Sequence, residues 1–564
     1  MSLSNVDVLV VGAGPTGLVT ALTLAKNGVS VRIIDKLSQY ALGQRGAGIM
    51  PRTLEVYHFL GVLKDVMRMG VSKLNMKAWK DGKPSKTLAM TVALEPTPTF
   101  PERRTCQLGQ DAACSILREH LKVHGAHVEL ATELVHFEQG ESSVTATVVK
   151  RQDGNEIEDT IKAKYVVGAD GAKGVVRKLL DLTFLGETRD GVNILIGDAE
   201  VQGVDQDCWN RFGEGPSDIA IFRPTNRFAE DIYFFLVYGP NIDYDRAVED
   251  HDYFRQFIYN IANLPELKIG KIETISNYRP SIRLVNGFRK GRVFIAGASA
   301  DAAHVHSVTG AQGMNSSIMD AFNLSWKLAL AIKGLASPSL LDSYETERLP
   351  VIKEMLQRTT SILNRTFVTE NGKSMPAAPK DNDAESPWTR PTQLNQLGVD
   401  YRWSPIIVDE VVNGLELKDK DEAKVLTAST YVVEEGGRLH AGDRAPDSPG
   451  LVDLKTGGTM RLFNIFGPDH HTLLVFTNGD AASDLGPLAR IPKGLVCTVV
   501  LRSQDAGAPA DVAAGVDLVL QDKEGHAYSA YDARVVVVRP DGVVGALLGG
   551  AEGVEKYMRG VFAL

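Results

Sequence analysis

The hydrophobic positions of this chain fall into runs that change period at glycine-rich turns. Residues 6–11, VDVLVV, predict a buried strand. GAGPTG turns at 12–17, and LVTALTLAKNG then sets Leu18, Ala21, Leu22 and Ala25 at helical spacing before a stop at Asn27-Gly28. The next run, VSVRIIDK, alternates with Val31 and Ile33 on one side and ends on Asp35. The same texture returns at 165–177, YVVGADGAKGVVR, where a strand ends at a glycine-flanked Asp170 with Arg177 beyond. It returns again at 292–334: a strand to Gly297, then Asp301, a Gly310/Gly313 turn, and a helix with Ile318, Ala321, Phe322 and Ala329 on one face that stops at Lys333-Gly334. Between these, IAIFRPTNRFAEDIYFFLVYG at 219–239 predicts two strands around a polar turn, with Tyr233 and Phe235 sharing a face. Residues 366–395, rich in Pro, Asn, Asp and Lys, predict a solvated linker. After it come the strand-like LLVFTNG, LVCTVVLR and VVVVRPDGVVGALLGG, the last reading as two strands around a Pro-Asp-Gly turn.

The first of these units has the spacing of a dinucleotide site. Gly12 permits the turn, Gly14 admits a pyrophosphate to the backbone, Gly17 lets the helix pack closely, and Asp35 stands where a ribose-binding carboxylate belongs. The bare N–H groups and the positive end of the helix dipole would receive the phosphates. A tight strand-to-helix turn with no ligand is the plain alternative, and the loop alone does not distinguish FAD from NAD. His304 and His306 read as ordinary loop packing, since no Cys/His/carboxylate cluster of ligand spacing accompanies them, and no metal is expected.

Composition narrows the class. At 564 residues the chain has room for about two to four domains. With 44% hydrophobic and 23% charged residues and no apolar run of membrane-spanning length, it reads as a soluble α/β protein. A net charge of −9 argues against nucleic acid or an anionic membrane as partner and leaves a small molecule. Cys106, Cys114, Cys208 and Cys497 form no C-x-x-C pair and fit a reducing compartment. The start has no basic leader and the VFAL end no retention or peroxisomal address, so the expected location is cytoplasmic.

Taken together, the glycine loop, the Asp170-Gly171 turn and the 292–334 segment, with QRGAGIMPRTLEVY at 44–57, Gln110 before a helix and SYETERLPV at 343–351, resemble the group A FAD-dependent aromatic hydroxylases. The likeness is to their phenol hydroxylase and polyketide hydroxylase branch, over nearly the whole chain. It implies a Rossmann-like α/β FAD-binding fold with an inserted β-sheet substrate domain and a C-terminal thioredoxin-like domain. The expected divisions are 1–185 with 285–365 for FAD, 186–284 for the substrate sheet, 366–430 as linker and connecting segment, and 431–564 as the thioredoxin-like part. That last part, having only Cys497, would be structural or dimer-forming.

The resemblance also implies a cofactor set: Gly12, Gly14, Pro15, Thr16, Gly17, Asp35 and Lys36 for the AMP half of FAD, and Arg45, Gln110 and Asp170 along it. Asp301, Gly310, Gln312, Gly313, Met314 and Asn315 would serve the ribityl chain and the flavin. NADPH or NADH would reduce FAD, and O₂ would yield a flavin C4a-hydroperoxide that oxygenates a phenolic substrate, in a homodimer. The chain departs from the family pattern in places. Ala298, Ser299 and Ala300 separate Gly297 from Asp301, Val308 stands where proline is common, Ala311 where glycine is, and Ala47 where phenol hydroxylases carry an aspartate before RTLE. With that base missing, Arg223 and Tyr233 become the catalytic candidates, each with a plain alternative: a solvated charge and a cross-strand packing residue. Another flavin oxidoreductase, such as a halogenase or reductase, and a non-catalytic FAD-fold protein are the competing readings.

Overall fold

The computed structural model describes residues 4–564 except 45, 73–74, 91–93, 153, 172–173, 189–190, 215–216, 226–229, 298–302, 306–309, 371–372, 377–391, 414–428, 432–436, 480 and 507–514. Its first sheet runs in the order Arg289–Lys290, Val293–Ile295, Asn155–Gly168, Ser4–Val11, Val31–Ile34, Val128–Glu129, and the strands from Val293–Ile295 to Val128–Glu129 are mutually parallel. Val11 pairs with both Gly168 and Ile34, and Gly168 with Ile295, so these strands end in one row. Whatever follows each carboxyl end lines one crevice, the place where open α/β sheets bind ligands. Helix Pro15–Lys26 follows the first strand and packs on helices Gln110–Val123 and Gly313–Ile332.

Helix Gly313–Ile332 is buried on every side up to Leu330, not along one face alone. Its second face carries Asn323, Trp326 and Lys327 against the C-terminal part of the chain. There Glu347 accepts from Lys327, Asn323, Ser404 and Arg539, and Arg539 also pairs with Asp541. Nearby, Arg52 and Glu55 bond each other, and Glu55 takes Arg444 as well. A network of buried charges is tolerable only when fully paired, and this one spans residues far apart in sequence.

The second sheet has seven strands: Lys268–Tyr278, Ile194–Gln202, Ile232–Tyr238, Ile219–Pro224, Cys208–Phe212, Asn75–Lys80 and Lys83–Ala89. The 219–239 segment forms the antiparallel pair its pattern predicts. The last two strands come from residues 75–89, which the sequence divisions had placed with the FAD unit. One face of this sheet buries Tyr233, Phe235 and Phe222 under helix His251–Ala262.

The expected linker is partly structured. Helix Ser343–Thr366 runs directly into a two-stranded pair, Phe367–Glu370 with Lys373–Pro376. Farther on, Leu394, Tyr401 and Ile406 are buried, and Val408–Asp409 joins the third sheet. The last part of the chain builds that eight-stranded sheet, in which His471–Phe476, Val496–Ser503 and Leu518–Asp522 are parallel, Val535–Val538 is antiparallel to both its neighbours, and Val544–Leu548 is antiparallel to Val535–Val538 and parallel to Val408–Asp409. The Pro540-Asp541-Gly542 turn joins the last two as the pattern predicts. All four cysteines are free. Among the described residues no helix is long and apolar enough to cross a membrane, and no cluster could hold a metal ion.

Candidate functional site

The first loop is built as its glycines require. Gly12 has φ +102°, and a Cβ there would fall 2.3 Å from the Ala169 carbonyl oxygen; a Cβ on Gly17 would fall 1.9 Å from the Gly12 carbonyl oxygen. Both glycines are demanded by backbone packing. Gly14 differs: a Cβ on it would meet nothing within 4 Å, so the space in front of it is open. The helix behind starts with Pro15 and Thr16, has no side-chain cap and has no acidic residue in its first turn. Uncapped N–H groups, the positive dipole end and an open approach form a cradle for a phosphate group. Asp35 closes the loop: its carboxylate accepts the Ala13 N–H at 2.9 Å and the Leu37 N–H at 3.0 Å. Lys36 beside it is exposed.

Asp170 sits against Gly12. One of its oxygens accepts the Val175 and Val176 N–H groups at the start of the short helix Val176–Leu179, while the other has no partner among the described residues. Burial pushes its pKa up despite those bonds. The cradle of open backbone and the orphaned carboxylate oxygen both suit a hydroxylated, phosphate-bearing cofactor, so the residues present fit FAD.

The far end converges on Gly46. A Cβ there would lie 3.4 Å from Gln110 Oε1 and 3.5 Å from Met314 Cβ, so the starts of two helices meet across one glycine. Helix Gly313–Ile332 also begins uncapped and with no acid in its first turn. Asn315, expected at the flavin, spends its side chain on the scaffold: Oδ1 accepts the Met50 N–H, and Nδ2 donates to the Gly48 and Ala311 carbonyls. Gln312 likewise donates to the Gly310 and Leu394 carbonyls and accepts from Gln396. Both residues therefore shape the wall rather than present free groups to it. Ala311 takes φ +51°, the left-handed conformation that the usual glycine would occupy without strain. His304 is buried on Asp320, which also holds the Gly297 N–H and Arg348. Arg45 and Asp301 lie outside the described residues.

Across from Gly46 the seven-stranded sheet presents its second face. Arg223, 6% exposed, donates to the Gln44 carbonyl and Oε1 at 3.4 Å and lies over the Phe234 ring at 4.3 Å and Trp209 at 5.7 Å. Tyr233 is not beside it. In the hairpin Arg223 pairs with Phe234 and Pro224 with Tyr233, so the pleat sends Tyr233 to the opposite face under helix His251–Ala262. The structure removes Tyr233 from the site, because two-residue periodicity tells which residues share a face but not which face meets the cleft.

Two residues went unnoticed in the sequence. Gln44 bridges the FAD unit to Arg223. Asp198, paired in register with Phe234 and Thr274, accepts the Gln44 N–H at 3.3 Å and the Thr274 hydroxyl at 3.1 Å. The alternation Ile194, Ile196, Asp198 was its one signal, a carboxylate on an otherwise apolar face. Beyond this polar edge the face turns apolar: Ile194, Ile196, Trp209, Ile219, Ile221, Leu236 and Tyr238 cluster with Leu363 of helix Ser343–Thr366. Next to it lies a groove of about 590 Å³ lined by Ile282, Leu356, Gln357, Thr360, Ser361 and Asn364. An apolar pocket with a few convergent polar groups is the usual form of a small-molecule site.

Comparison with known proteins agrees with this geometry. Residues 5–359 match the family described as FAD binding domain. A flavin-dependent monooxygenase of Mycobacteroides abscessus is 30% identical over 98% of this chain and 99% of its own. Pentachlorophenol 4-monooxygenase of Sphingobium chlorophenolicum is 26% identical over 89% of this chain and 86% of its own. A solved structure of aklavinone-11 hydroxylase in ternary complex with FAD and aklavinone superposes with TM-score 0.76 at 25% identity over 99% of both chains.

Proposed function

The chain belongs to the FAD-binding family of flavin-dependent aromatic monooxygenases, and on that premise we propose that it hydroxylates a phenolic ring held between the seven-stranded sheet and the Gly46 wall. The observation that carries the reading is Arg223, a buried cation at the seam where the apolar face meets the cofactor segment. A guanidinium there neutralises a phenolate, the more nucleophilic form of the ring, and orients it by a charge-assisted hydrogen bond. Gln44 holds Arg223 in place, and Trp209 and Phe234 supply flat surface for an aromatic substrate.

FAD, held by Gly12–Gly17, Asp35, Asp170, Gly46, Gln110 and the start of helix Gly313–Ile332, would supply activation of O₂ with electrons from NADPH or NADH. Leu363 and the apolar cluster around it keep water from the reacting edge. We read 431–564 as thioredoxin-like; its parallel trio followed by an antiparallel pair supports this. With Cys497 as its one cysteine it has no dithiol, and its buried ion pairs to Glu55 and Glu347 suit a structural role, in a chain we expect to form a homodimer. The test is NAD(P)H oxidation by the yellow protein against a panel of phenols and hydroxybenzoates. Stimulation with an oxygenated product is expected; oxidation indifferent to every phenol would contradict the proposal.

A further inference from the structure

Among the described residues the site lacks an obvious base: Ala47, upstream of RTLE, carries none, and Tyr233 faces away. The Asp198 carboxylate stands at the polar edge. Asp198 is 4% exposed, and its Oδ2 is anchored from two sides, by the Gln44 N–H and the Thr274 hydroxyl. Its Oδ1 is buried and has no hydrogen-bond partner among the described residues. A buried acceptor left unmatched is costly, so such an atom marks the place of a donor that the protein itself does not supply. Asp198 faces the same seam as Arg223, the two flanking Phe234 in one row across the sheet.

We propose that Asp198 takes the proton of the substrate's phenolic hydroxyl, an inference that rests on the aromatic hydroxylation argued above. The phenol O–H bond breaks, the proton goes to Asp198 Oδ1, and the electron pair stays on the phenolate oxygen, whose charge Arg223 neutralises. No redox partner enters this step. Anchoring Oδ2 fixes the carboxylate so that Oδ1 alone receives the proton, and Phe234 keeps the carboxylate and the guanidinium from closing on each other. The environment suits a base that becomes neutral when it acts. Burial favours its protonated form, as does the charge of Asp111 on helix Gln110–Val123, while the Gln44 and Thr274 bonds and Arg223 oppose this and the balance lies toward the proton.

The test uses the FAD-loaded wild type, Asp198→Asn and Tyr233→Phe, with 4-nitrophenol as probe in lightly buffered solution. The probe's phenolate absorbance and the bulk pH are followed together. Wild type is expected to bind phenolate with no proton released, because Asp198 keeps it. Asp198→Asn should release one proton per phenolate bound or leave the probe un-ionised, and Tyr233→Phe, on the far face of the sheet, should behave as wild type. In turnover, Asp198→Asn should lose about a hundredfold or more in kcat/KM at neutral pH and recover about tenfold per pH unit as the phenol ionises by itself. A proton released by wild type, or an Asp198→Asn deficit constant across pH, would overturn the proposal. If wild type oxidises phenols and Asp198→Asn is unimpaired, only the role of Asp198 falls. If wild type neither binds nor oxidises any phenol, the aromatic hydroxylation falls with it.

Discussion

Replacing Gly14 by alanine separates what the opening loop does for the fold from what it does for a ligand. Gly14 has φ −74° and ψ −176°, which alanine adopts without strain, and a Cβ there meets nothing within 4 Å. Restricting the unfolded chain stabilises by about 0.4–1 kcal/mol, and exchanging an N-cap glycine for alanine costs a similar amount. The FAD-free protein should therefore melt within about 1 °C of wild type, since a difference under ~0.5 kcal/mol moves the midpoint of a chain of this size by less than a degree. The same methyl would stand in the approach of a pyrophosphate to the loop. Losing one or two charge-assisted bonds at about 1.5–3 kcal/mol each comes to about 3 kcal/mol, or roughly a hundredfold in FAD affinity. Gly17→Ala is the control, since its Cβ would collide with the Gly12 carbonyl at 1.9 Å and should lower the stability of the FAD-free protein outright. Flavin fluorescence on dilution reports affinity, and thermal melts report stability. Wild-type FAD affinity in Gly14→Ala, or a melt as low as that of Gly17→Ala, would refute the reasoning.

Three further substitutions follow from the structure. His471 is enclosed by Trp326, Tyr557 and Phe562, and burial, reinforced by the charges of Arg539 and His470, lowers its pKa to about 3. The unfolded chain then binds the proton first, so stability declines as pH falls from about 6.5 toward 3, by about 1.4 kcal/mol per pH unit; His471→Phe should flatten that limb in urea melts at stepped pH. Ala311→Gly should relieve its φ of +51° and raise stability by about 0.5–1 kcal/mol net of glycine's entropy, read from the melting temperature. Arg223→Ala should lower coupled turnover by about a hundredfold and raise peroxide release, whereas Tyr233→Phe, on the far face of the sheet, should leave coupling unchanged.

Local backbone demands were legible in the sequence, and pairings across the fold were not. Gly12, Gly14, Gly17 and Asp35 could be singled out because one turn geometry needs those residue types at that spacing, and the structure gives Gly12 and Gly17 each a steric reason while leaving the space before Gly14 open. Alternation placed Tyr233 and Phe235 together but could not say that their face packs on helix His251–Ala262. Gln44 and Asp198 lie 154 residues apart and meet only when the second sheet closes on the first unit. The RTLE and SYETERLPV stretches carried the resemblance, yet Arg52, Glu55 and Glu347 bond Asp541, Arg444 and Arg539 of the C-terminal part, a role that no spacing encodes. Strands 75–89 joined the second sheet for the same reason: their partner, Cys208–Phe212, is remote in sequence.

The origin of the oxygen atom in the product tests aromatic hydroxylation most directly. FAD-loaded protein supplied with NADPH or NADH, a phenol that it turns over and isotopically heavy dioxygen should form a hydroxylated ring carrying one heavy oxygen, as read by mass spectrometry. A product whose oxygen comes from water, or nicotinamide oxidation that yields peroxide alone with every phenol, would contradict it.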